Sequence, residues 1–264
     1  MEVYYAILFL ILGLMFGSFY NVVGYRLPKK ESIMFPSSHC TACGHKLRPF
    51  ELIPVLSFIF LGRKCRGCKT KISWYYSFFE LLTGLLFMFS YLKFGFSIEL
   101  AAALIFTSII VIITVSDYKY YIIPDEIIVI GIITLSITYF LNGGFIDGSF
   151  NLGSAGIELG IVLLNGLLAF FLMWGIKLIG DKIFKKESMG GGDIKLLFIF
   201  GMVLGFPLAI VSIFLSSIIA LPISIIILKK SKSSIIPFGP FLSAAALILF
   251  FTNVHWLDVL TIFS

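Results

Sequence analysis

The sequence predicts an all-α polytopic membrane protein of about eight transmembrane helices, with a small, chemically distinct insertion between the first two. Three observations lead there. Hydrophobic residues make up 59% of the 264 positions and charged residues only 13%, against about a quarter charged in soluble domains. The apolar residues gather into runs long enough to cross a ~30 Å hydrocarbon core, which takes roughly 20 helical residues. Finally, residues 24–73 break this pattern, with ten basic residues, two acidic ones and all four cysteines.

The expected spans are residues 3–23, 74–93, 97–116, 122–141, 156–180, 193–205, 207–228 and 237–262. The first opens Met-Glu-Val-Tyr-Tyr without a basic leader or small-residue cleavage site, so it reads as a retained helix and not a signal peptide. Between 196 and 228 the apolar residues are too many for one upright span, and Gly205-Phe206-Pro207 is the natural break, because proline is well placed at the start of a helix. The division that follows is a first helix over 1–23, an insertion over 24–73 and a seven-span domain over 74–264.

Orientation follows from Lys and Arg, which accumulate in cytoplasmic loops. With the N-terminus outside, segments 24–73, 117–121, 177–195 and 229–236 face inward and hold 19 of the 20 basic residues, leaving Lys93 outside. The net charge of +6 is therefore one-sided. It implies contact with anionic lipid headgroups and does not point to nucleic acid.

In the insertion the cysteines are spaced Cys40-x-x-Cys43 and Cys65-x-x-Cys68, with glycines at Gly44 and Gly67. That spacing suits a structural, tetrahedral Zn²⁺ site of zinc-ribbon type with no open coordination position. Two disulfides are the alternative, and they are rare in a reducing cytosol. A module of ~50 residues buries little core, so a metal would supply much of its folding energy. His39 and His45 flank the first pair and read as surface residues.

Ionisable residues in or beside spans are functional candidates. Glu99 and Glu158 fall near the outer ends of their spans and suit interfacial anchors, whereas Glu80, Asp117, Asp125, Glu126 and Asp193 fall near the inner face. Asp193 follows Gly190-Gly191-Gly192, a run that permits close helix approach; taken alone, Asp193 could equally be a helix N-cap. Two aspartates on different spans at one depth can hydrolyse a peptide bond, one taking a proton from water while the other, protonated, binds the scissile carbonyl. Helix ends suggest Asp193 as the ionised base and Asp117 as the acid. With three histidines, two of them in the insertion and His255 near the outer side, a histidine-dependent serine or cysteine protease is disfavoured. A transporter would instead carry internal repeats and acids near mid-membrane, and neither is evident. A zinc-stabilised scaffold without catalysis would leave the glycine run as turn chemistry only.

Several motifs together resemble the type IV prepilin peptidases, members of the GxGD aspartic proteases. They are Gly17-Ser18-Phe19-Tyr20-Asn21-Val22-Val23-Gly24-Tyr25-Arg26-Leu27-Pro28, the two cysteine pairs, Glu80, Asp117 with Ile123-Pro124-Asp125, Gly190-Gly191-Gly192-Asp193 with Lys195, and Pro237-Phe238-Gly239-Pro240. The resemblance implies an inner-membrane enzyme that removes the basic leader of prepilins or pseudopilins after a glycine. It further implies, in bacterial members with such an insertion, methylation of the new N-terminus with S-adenosylmethionine. It selects Asp117 over Asp125 as the first catalytic aspartate and leaves Asp125 as an N-terminal helix residue. Glu80, Gly17, Asn21 and Arg26 become candidates for methyl transfer or substrate contact, although Glu80 also reads as an interfacial acid. No Rossmann glycine fingerprint is present.

Overall fold

The computed structural model describes residues 2–146, 149–187, 189–230 and 236–252. Nine α-helices occur among them: α1 (Glu2–Arg26), α2 (Leu56–Phe60), α3 (Trp74–Phe94), α4 (Ile98–Tyr120), α5 (Asp125–Gly144), α6 (Leu152–Phe184), α7 (Gly191–Leu204), α8 (Phe206–Lys230) and α9 (Gly239–Phe251). A two-stranded antiparallel ribbon, β1 (Phe145–Ile146) with β2 (Ser149–Phe150), joins α5 to α6.

Six of these helices are long and apolar enough to cross a membrane: α1, α3, α4, α5, α6 and α8. The expected break at Gly205 is present: Gly205 takes φ +80°, ending α7 after 14 residues, and α8 starts at Phe206. At ~1.5 Å per residue, α7 reaches only about 21 Å, short of a full crossing. The Phe206 N–H, freed by the break, donates to Asn165 Oδ1 of α6 at 3.1 Å. The last expected span is helical over Gly239–Phe251; its residues from 253 on, His255 among them, lie outside the described residues.

α4 is the central helix. Phe106, Ile110, Ile113 and Val115 on it are almost wholly enclosed, as are Leu196, Leu197, Ile199 and Phe200 on α7. α6 and α8, by contrast, expose Leu164, Phe171, Phe214 and Ile218, the outward apolar surface that a lipid environment requires. α1 and α3 lie in close contact, with Gly17 against the backbone of Glu80 and the side chain of Thr83, as small residues allow between membrane helices. Ser73 and Ser97 cap α3 and α4 by accepting N–H groups of Tyr75 and Leu100, satisfying donors that a helix start leaves free. α4 runs one turn past its expected end, so Asp117 lies inside its last turn and its carbonyl accepts the Tyr121 N–H.

The insertion leaves α1 through Arg26, whose guanidinium donates to the carbonyls of Ser32, Ile33 and Pro36 at 3.0, 3.2 and 2.7 Å. Arg26 thus shapes the first loop.

Candidate active site and metal centre

The ends of α4, α5, α7 and α9 on the side of the insertion bring the acidic motifs together. Asp117 is buried in the last turn of α4. Its Oδ2 accepts the backbone N–H of Gly239, the first residue of α9, at 3.0 Å. A Cβ at Gly239 would stand 2.6 Å from that oxygen, so only glycine admits the carboxylate. Asp193 occupies the third position of α7 and lies within Coulombic reach of Asp117. The N-cap of α7 is Gly190, not Asp193, which removes the capping explanation for the aspartate. A Cβ at Gly192 would stand 2.8 Å from Cβ of Ile123; glycine here lets α7 begin directly against the loop that follows Asp117. Gly191 faces open space, and Gly190 is in ordinary contact range of Asp193.

Asp125 has a different setting. It starts α5, exposed, and its Oδ1 accepts from Lys195 Nζ at 2.7 Å. The lysine that follows the glycine-aspartate motif thus ties the start of α7 to the start of α5 and pairs with Asp125, not with Asp117 or Asp193.

Glu80 is buried between α3 and α1, and its Oε2 accepts the Val55 N–H at 2.7 Å. Val55 is held at φ 60°, ψ −49°, with the Leu56 N–H bonded to the Pro54 carbonyl at 2.5 Å. A β-branched residue in this tight turn is strained by about 1–3 kcal/mol, and the carboxylate of Glu80 is what receives its N–H. Asn21, also buried, donates from Nδ2 to the Tyr76 carbonyl at 3.0 Å, while its Oδ1 has no partner among the described residues.

In the insertion the Sγ atoms of Cys40, Cys43, Cys65 and Cys68 all lie within 4.8 Å of one another. Cys40 to Cys68 is 3.8 Å and Cys43 to Cys65 is 3.9 Å. All four are free thiols, and these separations match the ~3.8 Å edge of a tetrahedron with metal–sulfur bonds of about 2.3 Å. The donor set therefore fits a metal ion. Two knuckles build it. Gly44 N–H bonds to the Cys40 carbonyl, and Lys69 N–H bonds to that of Cys65, at 2.9 and 3.0 Å. The left-handed position after each pair is filled by Gly44 in the first knuckle and by Lys69, φ 61°, in the second. Gly67 instead packs against His45 and Cys43 Sγ. N–H groups of Ala42 and Cys43 hold the Cys40 thiol below its usual range, and the hydroxyl and N–H of Thr70 bring Cys68 down to about 6.

His39 is exposed, as expected, but His45 is not a free surface residue. It is half-buried, with Nε2 3.3 Å from Oε2 of the buried Glu51. The Arg48 N–H, at 2.8 Å from the same oxygen, holds the Glu51 carboxyl below the ordinary range, with His45 assisting. Glu51 and Gly239 are the contributors that sequence reasoning did not single out by role. The Pro-Phe-Gly-Pro motif was a signal for the second, while nothing local marked Glu51.

Comparison with known proteins agrees with this layout. The model of the bacterial peptidase A24 N-terminal domain matches residues 11–94, and that of the type IV leader peptidase family matches residues 104–225. A prepilin leader peptidase/N-methyltransferase of Bacillus subtilis is 33% identical over 243 residues, covering 91% of each chain. One from Neisseria gonorrhoeae is 31% identical over 92% of this chain and 89% of its own, and one from Pseudomonas aeruginosa 30% over 89% and 86%. No solved structure matches the chain. The extent of these matches shows that this multi-pass membrane protein belongs to the type IV leader peptidase family.

Proposed function

We propose that the protein is an aspartic endopeptidase that removes the basic leader of prepilin-like proteins after a glycine, with Asp117 and Asp193 as its catalytic pair, and then methylates the new N-terminus. The observation that carries the peptidase reading is that the start of α7, which bears Asp193, packs through Gly192 against Ile123 in the loop that follows the buried Asp117. Two carboxyls in reach of one another hold a single proton between them. The ionised one takes a proton from the attacking water, and the protonated one hydrogen-bonds the scissile carbonyl and then passes its proton to the leaving amine. Gly239 occupies Oδ2 of Asp117, so Oδ1 is the oxygen available to water or substrate. Gly192 lets the start of α7 approach Ile123, with Gly190 and Gly191 preceding it, and the Lys195–Asp125 pair fixes it.

The positive-inside count orients the N-terminus outward and the catalytic pair at the cytoplasmic face of the inner membrane, beside anionic headgroups. A prepilin carries its basic leader in the cytosol and an apolar helix in the bilayer, so its scissile bond arrives at that depth. The chain divides accordingly into a first helix over 1–23, a zinc-binding insertion over 24–73 in which Cys40, Cys43, Cys65 and Cys68 hold structural Zn²⁺, and a peptidase domain over 74–264. S-adenosylmethionine, when bound, supplies the methyl group. The unused Oδ1 of Asn21 and the carboxylate of Glu80 are polar groups fitted to that half of the reaction, with Gly17 making room between α1 and α3 and Arg26 shaping the adjoining loop. The names of the relatives, which pair the two activities, favour both.

The test is a product mass measurement on purified protein with a prepilin, with and without S-adenosylmethionine. Leader loss followed by a gain of one methyl is expected. An unchanged substrate mass would overturn the peptidase reading, and a cleaved but unmethylated product in the presence of the donor would overturn the second half.

A further inference from the structure

The Glu80–Val55 bond fixes the depth of part of the insertion. α3 has 21 residues, about 31 Å of helix, so all of it is needed to cross a ~30 Å hydrocarbon core, and its first residue, Trp74, stands at the edge of that core. Glu80, whose Oε2 accepts the Val55 N–H at 2.7 Å, comes six residues later, about 9 Å further in. Gly17, which faces the Glu80 backbone from α1, is likewise nine residues from the end of its helix at Arg26, about 13 Å along the axis. A glutamate side chain on α3 leans back toward the helix start, but its reach is shorter than those 9 Å. Val55 therefore meets it at or below the level of Trp74, and α2 begins with the next residue.

The large side chains that α2 leaves uncovered share one face. Leu56, Ile59 and Phe60, at i, i+3 and i+4, are 51, 63 and 83% exposed. Phe58, on the other side, is half-buried, with the Arg63 guanidinium 5.6 Å from its ring centre. Three uncovered apolar side chains on one short helix are unfavourable in water and favourable in an acyl boundary. Charge selects the same occupant. Residues 52–73 hold five basic residues and no acidic one, and two of the five, Arg63 and Lys64, are exposed within four positions of the end of α2. Anionic headgroups complement them, whereas a substrate with a basic leader or a second copy of this insertion would bring charge of the same sign.

We propose that α2 dips into the bilayer, with Leu56, Ile59 and Phe60 in the acyl boundary of the leaflet on the insertion's side and Arg63 and Lys64 on its anionic headgroups. The four-cysteine module is thereby moored to the membrane surface, and Glu80, through Val55, sets the depth of the mooring. The inference holds whichever face of the membrane the insertion occupies, and it does not depend on the peptidase or methyl-transfer readings.

The test uses the full-length, metal-loaded protein. Phe60 is replaced by the photoreactive p-benzoylphenylalanine, a change at an exposed position, and the protein is irradiated with a prepilin in proteoliposomes of phosphatidylethanolamine and phosphatidylglycerol. A lipid adduct, read by mass, is expected. An adduct to the prepilin or to a second chain in place of lipid, or no adduct at all, would overturn the proposal. In nanodiscs of the same lipids, trypsin should cut after Arg63 and Lys64 at least about tenfold faster in Ile59→Asp than in the wild type, and within about twofold of it in Ile59→Leu. Equal rates in wild type and Ile59→Asp would mean that lipid does not shelter α2. Exchanging phosphatidylglycerol for phosphatidylcholine should speed cleavage of the wild type about fivefold, and an unchanged rate would overturn the headgroup contact.

Discussion

The N–H of Gly239 and Oδ2 of Asp117 are 3.0 Å apart, joining the start of α9 to the end of α4 across 122 positions of chain. The bond and the absent Cβ act together. Gly239→Ala would place a methyl 2.6 Å from the carboxylate oxygen, displacing the Asp117 side chain. We expect leader removal to fall at least about tenfold with the helical content unchanged, since small displacements of a catalytic group cost this much or more. Wild-type turnover in the alanine variant, measured by product mass, would show that this contact does not position the acid.

Asp117→Asn and Asp193→Asn should each reduce leader removal by about a hundredfold or more, the scale of lost general acid–base catalysis. A dyad sharing one proton gives a bell-shaped dependence of rate on pH, whose two limbs belong to the pair and not to either residue. A rate that rises to a plateau and stays there up to pH 9 would exclude it.

Asp125→Asn should behave differently. Its ion pair with Lys195 is exposed on both sides, and such pairs contribute about 0–1 kcal/mol. Activity is expected to stay within about fivefold of wild type, with thermal stability little changed. Inactivation as complete as that of Asp117→Asn would mean that the two aspartates have been assigned the wrong way round.

Metal removal should unfold the insertion and spare the bundle, because the four thiols that join its two knuckles converge within 4.8 Å of one another. One zinc per chain is expected by elemental analysis, and Cys40→Ser should lower that content and open residues 24–73 to protease. Full metal content in Cys40→Ser would contradict a four-cysteine site.

Glu51 supplies a pH test. Its folded carboxyl lies below its unfolded value of about 4.3, so its contribution to stability is complete above that value and disappears as pH falls through the lower, folded one. The difference in unfolding midpoint between wild type and Glu51→Gln should therefore be constant from pH 7 to about 5 and shrink below about 4. A difference that grows on acidification would reverse the sign.

Much of this was readable in the linear chain. Helix existence followed from apolar run length, the break from Gly205 and its neighbours, and the metal site from two Cys-x-x-Cys pairs, each of which forms its own local knuckle. What failed to show was partnership. Residue spacing cannot reveal that Lys195 serves Asp125, that Gly239 serves Asp117, or that His45 leans on Glu51, because these meet only once helices distant in sequence, or the folded loop, have packed. Lys69 in a left-handed position where glycine is preferred illustrates the same point at short range: the ligand geometry overrode local preference.

The shortness of α7 has a consequence for water. A helix of about 21 Å in a slab of about 30 Å must end inside it, and backbone groups at that end cannot face lipid. At Gly205 the protein supplies its own partners: the Gly205 N–H reaches the Gly201 carbonyl and the Phe206 N–H reaches Asn165. At the other end, the N–H groups of Gly191, Gly192 and Asp193 open the helix with no side-chain cap among the described residues. On the proposed reading that end lies at the cytoplasmic face, where its uncapped N–H groups draw water to the start of α7, beside the aspartate proposed to use it.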